Sequence, residues 1–403
     1  MTNVQRVYDD GLCMQCGTCE GICPTGSAAL TWDLRVGYRL RVDEQTCTDC
    51  GRCHDACPGP GLDFSASAWW RERNEGAPFE DFLGPWRRLW FGWASDPEVR
   101  HAGASGGVAT ALMQSALETG LVDAVAAVRM SASNPLEAEA VICRSAAAVA
   151  SCRGSKYNVV AINTVLRRIL DEPGRYALVG LPCHIQGLRL AQLHSRRLRE
   201  RVTLAMGVFC GLTNEPRATA VLARQAGLDP ASVREVSYRG PGWPGGMRLV
   251  TDSVTRWRDY PDYIDRRFTA LTPPRCRICP DALAELADVS VGDAWLDRFE
   301  GSDGVSDIIV RTPAGERLLD EAAASLVLES ATPAEMVASQ ADTYGVKRGA
   351  CRGRLWLRSL AQQPVPDYPG LALSASAGDR VRGAADAAQE RLFRFLVDRR
   401  FPG

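Results

Sequence analysis

The chain has 403 residues, 47 lysines and arginines against 48 aspartates and glutamates, and a net charge of −1. That balance predicts no general attraction to nucleic acid or an anionic membrane surface, and no apolar run reaches the eighteen or so residues of a membrane span. The length suits two or three domains. Fifteen cysteines behind an N-terminus without a secretory apolar run (MTNVQRVYDDGLC) point to metal ligation in a cytoplasmic, reducing setting.

Residues 1–64 read as a two-cluster ferredoxin unit. Cys13, Cys16, Cys19 and Cys23-Pro24 form one run, and Cys47, Cys50, Cys53 and Cys57-Pro58 repeat its spacing. In this pattern the last cysteine of each run serves the other cluster. One 4Fe–4S cube is therefore expected on Cys13, Cys16, Cys19 and Cys57, and the second on Cys47, Cys50, Cys53 and Cys23. Zinc sites favour two CxxC pairs, and disulfides suit exported chains. The alternation in TWDLRVGYRLRVDE, residues 31–44, predicts a small hairpin between the two runs.

Residues 65–100 read as a connector. Its Trp69, Trp70, Trp86, Trp90 and Trp93 suit packing between domains better than a redox wire. From residue 101 to 345 the pattern is that of an α/β domain. HAGASGGVATALMQSALETG leads into a helix; LVDAVAAVRM and EAEAVICR read as strands; VVAINTVLRRIL reads as a helix. Buried strands YALVGLPC and VTLAMGVFC alternate with helices HIQGLRLAQL and NEPRATAVLARQAG, which argues for a mixed or parallel sheet covered on both faces. Residues 232–312 are β-rich. Residues 346–403 form a helical extension ending in an amphipathic helix that packs on the body or meets a partner.

Cys183, Cys210, Cys276 and Cys279 stand at the ends of expected strands or loops, where residues distant in sequence can meet. Their spacing allows a third 4Fe–4S cube, and equally two buried thiols plus a redox CxxC. Cys143, Cys152 and Cys351 have no partner at ligand spacing and are expected to be structural. Ser105, Gly106 and Gly107 precede a helix, where glycine-lined N–H groups suit a pyrophosphate or simply a capped turn. Arg153-Gly154-Ser155-Lys156-Tyr157 adds two cations and a ring, either as a phosphate clamp with a stacking face or as a solvated loop. The only lysines are Lys156 and Lys347, which draws attention to Lys156 inside this motif. Cubes carry single electrons whereas most metabolites take pairs, so a flavin is expected to convert one to the other.

SGGVATAL, RGSKYN, VGLPCHIQGLR, the FCG element, CRICPD and ADVSVGDAW occur in this order, and with them the chain resembles the beta subunit of coenzyme F420-reducing hydrogenase and its dehydrogenase relatives, over roughly residues 90–345. The resemblance implies an FAD-binding domain with a mixed sheet, a pocket for F420 or another small organic substrate, and a third cube on Cys183, Cys210, Cys276 and Cys279. It implies that Ser105, Gly106, Gly107, Val108 and Thr110 line the FAD phosphates and that Ser155, Lys156 and Tyr157 lie near the ring. Pro182, Gln186 and Asp293 are implied to sit close to the cofactors. His184 stands where many members carry glutamine. Nothing resembles a nickel site.

Three functions follow from this reading. The first is hydride exchange between FAD and coenzyme F420, coupled through 4Fe–4S clusters to ferredoxin or a partner redox subunit. The second is ferredoxin-driven reduction of an organic molecule by FAD, and the third is service as an electron-transfer subunit in a homo- or hetero-oligomer. His101, His184 and Tyr157 are the candidate proton donors. Arg129, Arg144, Arg239, Arg248 and Arg275 are the candidate cations for the polyanionic tail of F420.

Overall fold

The computed structural model describes residues 3–64, 79–80, 82–371 and 373–400. Trp69 and Trp70 lie outside these residues. The fold is mixed α/β, with a small N-terminal unit docked on a larger sheet domain.

In the N-terminal unit, strands β1 (Ala28–Asp33) and β2 (Gly37–Val42) form the expected antiparallel hairpin, with Ala28 opposite Val42. Each cysteine run carries one short helix, Thr18–Ile22 or Arg52–Asp55, entered through a glycine at positive φ, Gly17 or Gly51. Gly17 is needed twice over. Its φ of 88° suits glycine, and a Cβ there would stand 2.6 Å from the Ala161 carbonyl oxygen of the large domain. This close backbone contact continues in bonds from Asn163 N–H to the Cys16 carbonyl and from the Asn163 side chain to Thr18 Oγ1.

The large domain is built on an eight-stranded sheet. Its strands in chain order are β3 (Arg88–Ala94), β4 (Ala124–Met130), β5 (Ala138–Cys143), β6 (Tyr176–Gly180), β7 (Val202–Val208), β11 (Val289–Asp293), β12 (Ser306–Val310) and β13 (Leu326–Ser330). Three further strands, β8 (Val233–Ser237), β9 (Gly246–Thr251) and β10 (Thr255–Asp259), make a separate antiparallel sheet. Across the large sheet the order is β13-β3-β12-β11-β7-β6-β4-β5. The four strands β4, β6, β7 and β11 run parallel to their neighbours in this group, and antiparallel strands flank them on both sides. All four carboxyl ends therefore open on one edge.

Both faces of the sheet are covered, which is why its strands read as continuous apolar runs. Helix α1 (Val108–Glu118) packs Val108, Leu112 and Met113 with Val125, Ala127 and Val291 on one face. Helix α2 (Pro182–His194) packs Ile185 and Leu188 with Ala124, Ala126 and Leu178 on the other. The alternate residues of β4 thus serve two cores, as a period of two requires. Asp288 ties these layers together at the start of β11. One of its oxygens accepts from the Ala205 N–H at 2.7 Å and faces Arg189 of α2 at 3.0 Å, while the other accepts from the Thr312 hydroxyl at 2.7 Å.

Several boundaries differ from the sequence reading. Residues 88–94, expected in the connector, are an inner strand of the large sheet. Trp86 and Trp93 pack in one of its cores, and Trp90 in another. The expected helix over VVAINTVLRRIL is a 3-10 turn followed by one short helix, Leu166–Asp171, because the backbone N–H groups of Val159 and Asn163 donate to the carbonyls of Asn214 and Cys16 instead. The C-terminal extension opens with a π-helical turn, Gly345–Ala350, in which Lys347, Arg348, Gly349 and Ala350 are buried. Helices Cys351–Leu360 and Ala377–Arg400 follow. The last helix is pinned by Glu390 to Arg277, Arg394 to Glu215 and Asp398 to Arg217, and it leaves Val381, Leu392 and Phe395 exposed. No helix of the described residues is long and apolar enough to cross a membrane.

Candidate redox site

Twelve of the fifteen cysteines gather around three small cavities. Cys13, Cys16, Cys19 and Cys57 line the first, together with Met14 and Leu40. Cys23, Cys47, Cys50 and Cys53 line the second, where Cys50 reaches the surface. These are the two groupings that the crossed ferredoxin pattern predicts. Between them Cys19, Cys23, Cys53 and Cys57 pack with Val4, Ala28 and Val42. The third cavity is lined by Cys183, Cys210, Cys276 and Cys279, with Met14, Pro182, His184, Asp281 and Lys347.

Local structure explains why the third group converges. Cys183 is the second residue of α2, just beyond the carboxyl end of β6, and Cys210 follows the carboxyl end of β7. Cys276 and Cys279 lie on a 3-10 turn held by Arg275. That buried guanidinium donates to the carbonyls of Gly59 and Ile278 and to the Tyr368 hydroxyl, joining the turn to the chain just beyond Cys57. Gln186 donates to Asp281 at 2.8 Å and braces the loop after Cys279.

Iron–sulfur cubes fit these cavities chemically. Burial pushes the Cys13 and Cys276 thiols up to about 12, and pushes Cys183 and Cys19 well above the ordinary thiol value, with the charges of neighbouring cysteines adding to it. Such thiols ionise together only when a cationic cluster takes the charge. Among the described residues no three His, Cys, Asp or Glu side chains close on a point as ligands of a lone ion do. Thiols ranged around a cavity suit a cube, which presents separate irons to its cysteines.

The first and third cavities share a wall. Met14 lines both the first and the third. Val160, Leu181, His184 and Cys210 line both the third and a much larger cavity of about 390 Å³. That large cavity sits at the carboxyl ends of β4, β6, β7 and β11, the edge where open α/β sheets bind ligands, and its size is in the range of organic-ligand pockets. Valines of the strands and Met113 and Met206 make its floor. The N-terminus of α1 enters through Gly107 at φ 75°, with no side-chain cap, and Val108, Ala109 and Thr110 face the cavity. Arg239, Tyr260 and Trp295 also line the cavity, with Arg239 donating at 2.8 Å to the Ala104 carbonyl in the turn that leads into α1. The Arg239 guanidinium lies 4.1 Å from the centre of the Tyr260 ring and donates to Asp293 at 2.9 Å, and Tyr260 stacks on Trp295 at 5.6 Å.

Family comparison agrees with this architecture. A model described as coenzyme F420 hydrogenase/dehydrogenase, beta subunit N-term, matches residues 89–167, and its C-terminus counterpart matches residues 174–335. A 4Fe–4S dicluster domain matches residues 12–59. The chain belongs to the coenzyme F420 hydrogenase/dehydrogenase beta-subunit family. It is thus an iron–sulfur oxidoreductase of the F420 hydrogenase/dehydrogenase beta-subunit type. It is 24% identical over 256 residues to coenzyme F420 hydrogenase subunit beta of Methanothermobacter thermautotrophicus, covering 62% of this chain and 85% of that protein. It is 26% identical over 332 residues to the coenzyme F420-dependent sulfite reductase of Methanocaldococcus jannaschii, covering 78% of this chain but only 46% of that protein. In fold it is similar to a chain of the F420-reducing NiFe hydrogenase complex from Methanosarcina barkeri, with a TM-score of 0.57 and 20% identity, over 70% of this chain and 96% of the other.

The residues singled out from the sequence divide clearly in this family member. Ser105, Gly107, Val108, Thr110, Ser155, Lys156, Tyr157 and Asp293 line the large cavity. Gly106 does not, since it packs against Gly92 and Ser306. Pro182 lines the third cysteine cavity instead, and Gln186 is buried on Asp281. Lys156 turns its ammonium back onto the carbonyls of Cys152, Arg153 and Gly154, so it clamps its own loop rather than reaching across the cavity.

Two of the three proton-donor candidates fall away. His101 is exposed on the short helix Pro97–Ala102, outside the cavity lining. His184 is buried with Nδ1 accepting from the Leu181 N–H and Nε2 donating to the Val160 carbonyl, both at 2.9 Å. Burial pushes its imidazole down to about 4, so it stays neutral with both nitrogens occupied. Tyr157 remains, with its phenol hydrogen-bonded to Arg239 and pushed up by burial. Of the five arginines expected around a polyanionic tail, only Arg239 lines the cavity. Arg129, Arg144 and Arg248 pair with Glu139, Glu172 and Glu235 at the surface, and Arg275 is buried. Met14, Tyr260, Trp295 and Lys347 were missed as site residues, although the rarity of lysine and the ADVSVGDAW motif stood next to two of them.

Proposed function

We propose that this protein exchanges hydride with coenzyme F420 at an FAD held in the large cavity, and moves single electrons between that cavity and the ferredoxin unit through a third 4Fe–4S cluster on Cys183, Cys210, Cys276 and Cys279. The ferredoxin unit holds its two clusters on the crossed cysteine sets. The observation that carries this reading is the row of cavities from surface Cys50 to the 390 Å³ cavity, the two ferredoxin cavities joined by the packed Cys19, Cys23, Cys53 and Cys57 and the others by shared walls. FAD, when bound, supplies the conversion between a hydride and two single electrons.

The chain's own residues do the rest. The uncapped N-terminus of α1, with Thr110 and Ser105 beside it, would hold the pyrophosphate through free N–H groups and the helix dipole. Trp295 and Tyr260 offer flat faces to a ring system, and Arg239 offsets negative charge beside them. Tyr157, held by Arg239, is positioned to move a proton at the cavity wall. Neutral His184 and Leu181 separate the cavity from the third cluster without adding charge to the boundary. Ferredoxin or a partner redox subunit would meet the protein near Cys50, where the row reaches the surface, in a hetero-oligomer like those its relatives' names describe.

One observation favours the runner-up, reduction of a small organic molecule driven by ferredoxin: four of the five arginines considered for the F420 tail stand away from the cavity. Both readings need FAD at α1, and Thr110→Asp tests it. A carboxylate in the first turn favours the helix dipole yet opposes a pyrophosphate at a cost of about 1–3 kcal/mol. FAD binding to the variant is expected to weaken by roughly ten- to a hundredfold with unchanged thermal stability. Unchanged FAD affinity would mean that the phosphates lie elsewhere.

A further inference from the structure

Cys143 and Cys152 were expected to be unpaired structural thiols, and the fold brings them together. Cys143 ends β5, and Cys152 follows the short helix Ala146–Ala150. Their sulfurs stand 3.6 Å apart. Cys143 is buried at 3% exposure, whereas Cys152 is partly exposed and lines the large cavity.

We propose that Cys143 and Cys152 are a redox-active dithiol that closes to a disulfide in the wall of the large cavity, with a low-molecular-weight disulfide as its oxidant. A disulfide needs the sulfurs at about 2.0 Å, a movement that side-chain rotation at the strand end and in the loop supplies. The rest of the surroundings divide the roles. Hydrogen bonding from Cys143 holds Cys152 below the ordinary thiol value against burial, helped by the Lys156 ammonium and Ser151, while Cys143 is held above it. Cys152, partly exposed on the cavity side, is the sulfur an oxidant can reach and so the attacking thiolate, and buried Cys143 is the resolving thiol.

The exchange balances without any other reagent. The Cys152 thiolate attacks one sulfur of the oxidant, forming a mixed disulfide and releasing one thiolate. Cys143 then gives up its proton, its sulfur attacks that of Cys152, and the second half of the oxidant leaves as thiolate. The protein loses two electrons and the oxidant becomes two thiols. Closure ties the start of the loop 152–157 to the end of β5. Cys152, Arg153, Gly154, Ser155, Lys156 and Tyr157 of that loop all line the cavity, so the bond sets the shape of one cavity wall. The inference holds whichever cofactor or substrate the cavity takes.

The test uses the full, cluster-loaded chain under argon. It is equilibrated with glutathione at a series of oxidised-to-reduced ratios, quenched in acid, alkylated, digested with trypsin and read by mass spectrometry, with iron content followed in parallel. Cleavage after Arg144 separates the two cysteines, so a disulfide joins peptide 130–144 to peptide 145–153. The expected result is progressive loss of both alkylated peptides in favour of the linked pair, at constant iron and reversed by dithiothreitol. In Cys143→Ser, Cys152 is expected to accumulate as its glutathione adduct. In Cys152→Ser, Cys143 is expected to stay alkylated. Full alkylation of both wild-type cysteines at every ratio, or a glutathione adduct that never resolves to the linked peptide, would overturn the proposal.

Discussion

Cys183→Ala is expected to lower the iron content from about twelve to about eight atoms per chain, one 4Fe–4S cube fewer, and to uncouple the ferredoxin unit from the large cavity. Cys183 is the second residue of α2 and, of the three cysteine cavities, lines only the third, so the first two cysteine sets keep all their thiols. The electron paramagnetic signals of the two ferredoxin clusters should persist after dithionite reduction while a third signal disappears. Activity with a one-electron partner should be lost, whereas hydride exchange between F420 and FAD alone, followed by isotope transfer, should survive. That split separates a missing relay from a misfolded domain. Undiminished iron in the purified variant would refute the ligand assignment.

Lys347→Met is expected to lower the reduction potential of the third cluster by on the order of 100 mV. Lys347 is buried on the π-helical turn Gly345–Ala350 and lines the cavity of the four cysteines. Although burial opposes its charge, the sulfurs of Cys210, Cys279 and Cys276 hold the ammonium protonated well above the ordinary lysine value. A unit charge a few ångströms away, at an effective dielectric constant near 20, is worth roughly 2–3 kcal/mol, which for a one-electron couple corresponds to on the order of 100 mV. Reduction adds negative charge, so removing the cation disfavours it. Lys347→Arg should restore most of the potential. Potentiometric titration monitored by paramagnetic resonance checks both variants. An unchanged potential in Lys347→Met with full iron would show that solvent already screens the charge.

The N-terminal unit was legible because its ligands are local: the repeated spacing of Cys13 to Cys23 and of Cys47 to Cys57 already fixes which thiols meet. The buried strands of the large sheet were legible for a related reason, since two covered faces leave continuous apolar runs such as YALVG and VTLAMGV. Residues 88–94 were not, because RLWFGWA reads equally as a tryptophan-rich linker until its partners, at 306–310 and 326–330, are known. The same holds for the site. The motif around Ser105 to Thr110 lies on one continuous stretch, and four of its five named residues line the large cavity. The stack of Tyr260 on Trp295 and the seat of Lys347 depend on contacts between distant segments. His184 shows the opposite failure. Its residue type suggests proton transfer, but its two backbone partners, Leu181 and Val160, make it a neutral spacer.

The proposed function needs an unbroken path between a two-electron cavity and one-electron clusters. Anaerobic titration of the cluster- and FAD-loaded protein with reduced coenzyme F420, followed by flavin and iron–sulfur absorbance together, tests that path most directly. Both are expected to bleach, the clusters after the flavin. Flavin bleaching with clusters that stay oxidised, although dithionite reduces them, would contradict the path; no bleaching at all would contradict F420 as the hydride partner.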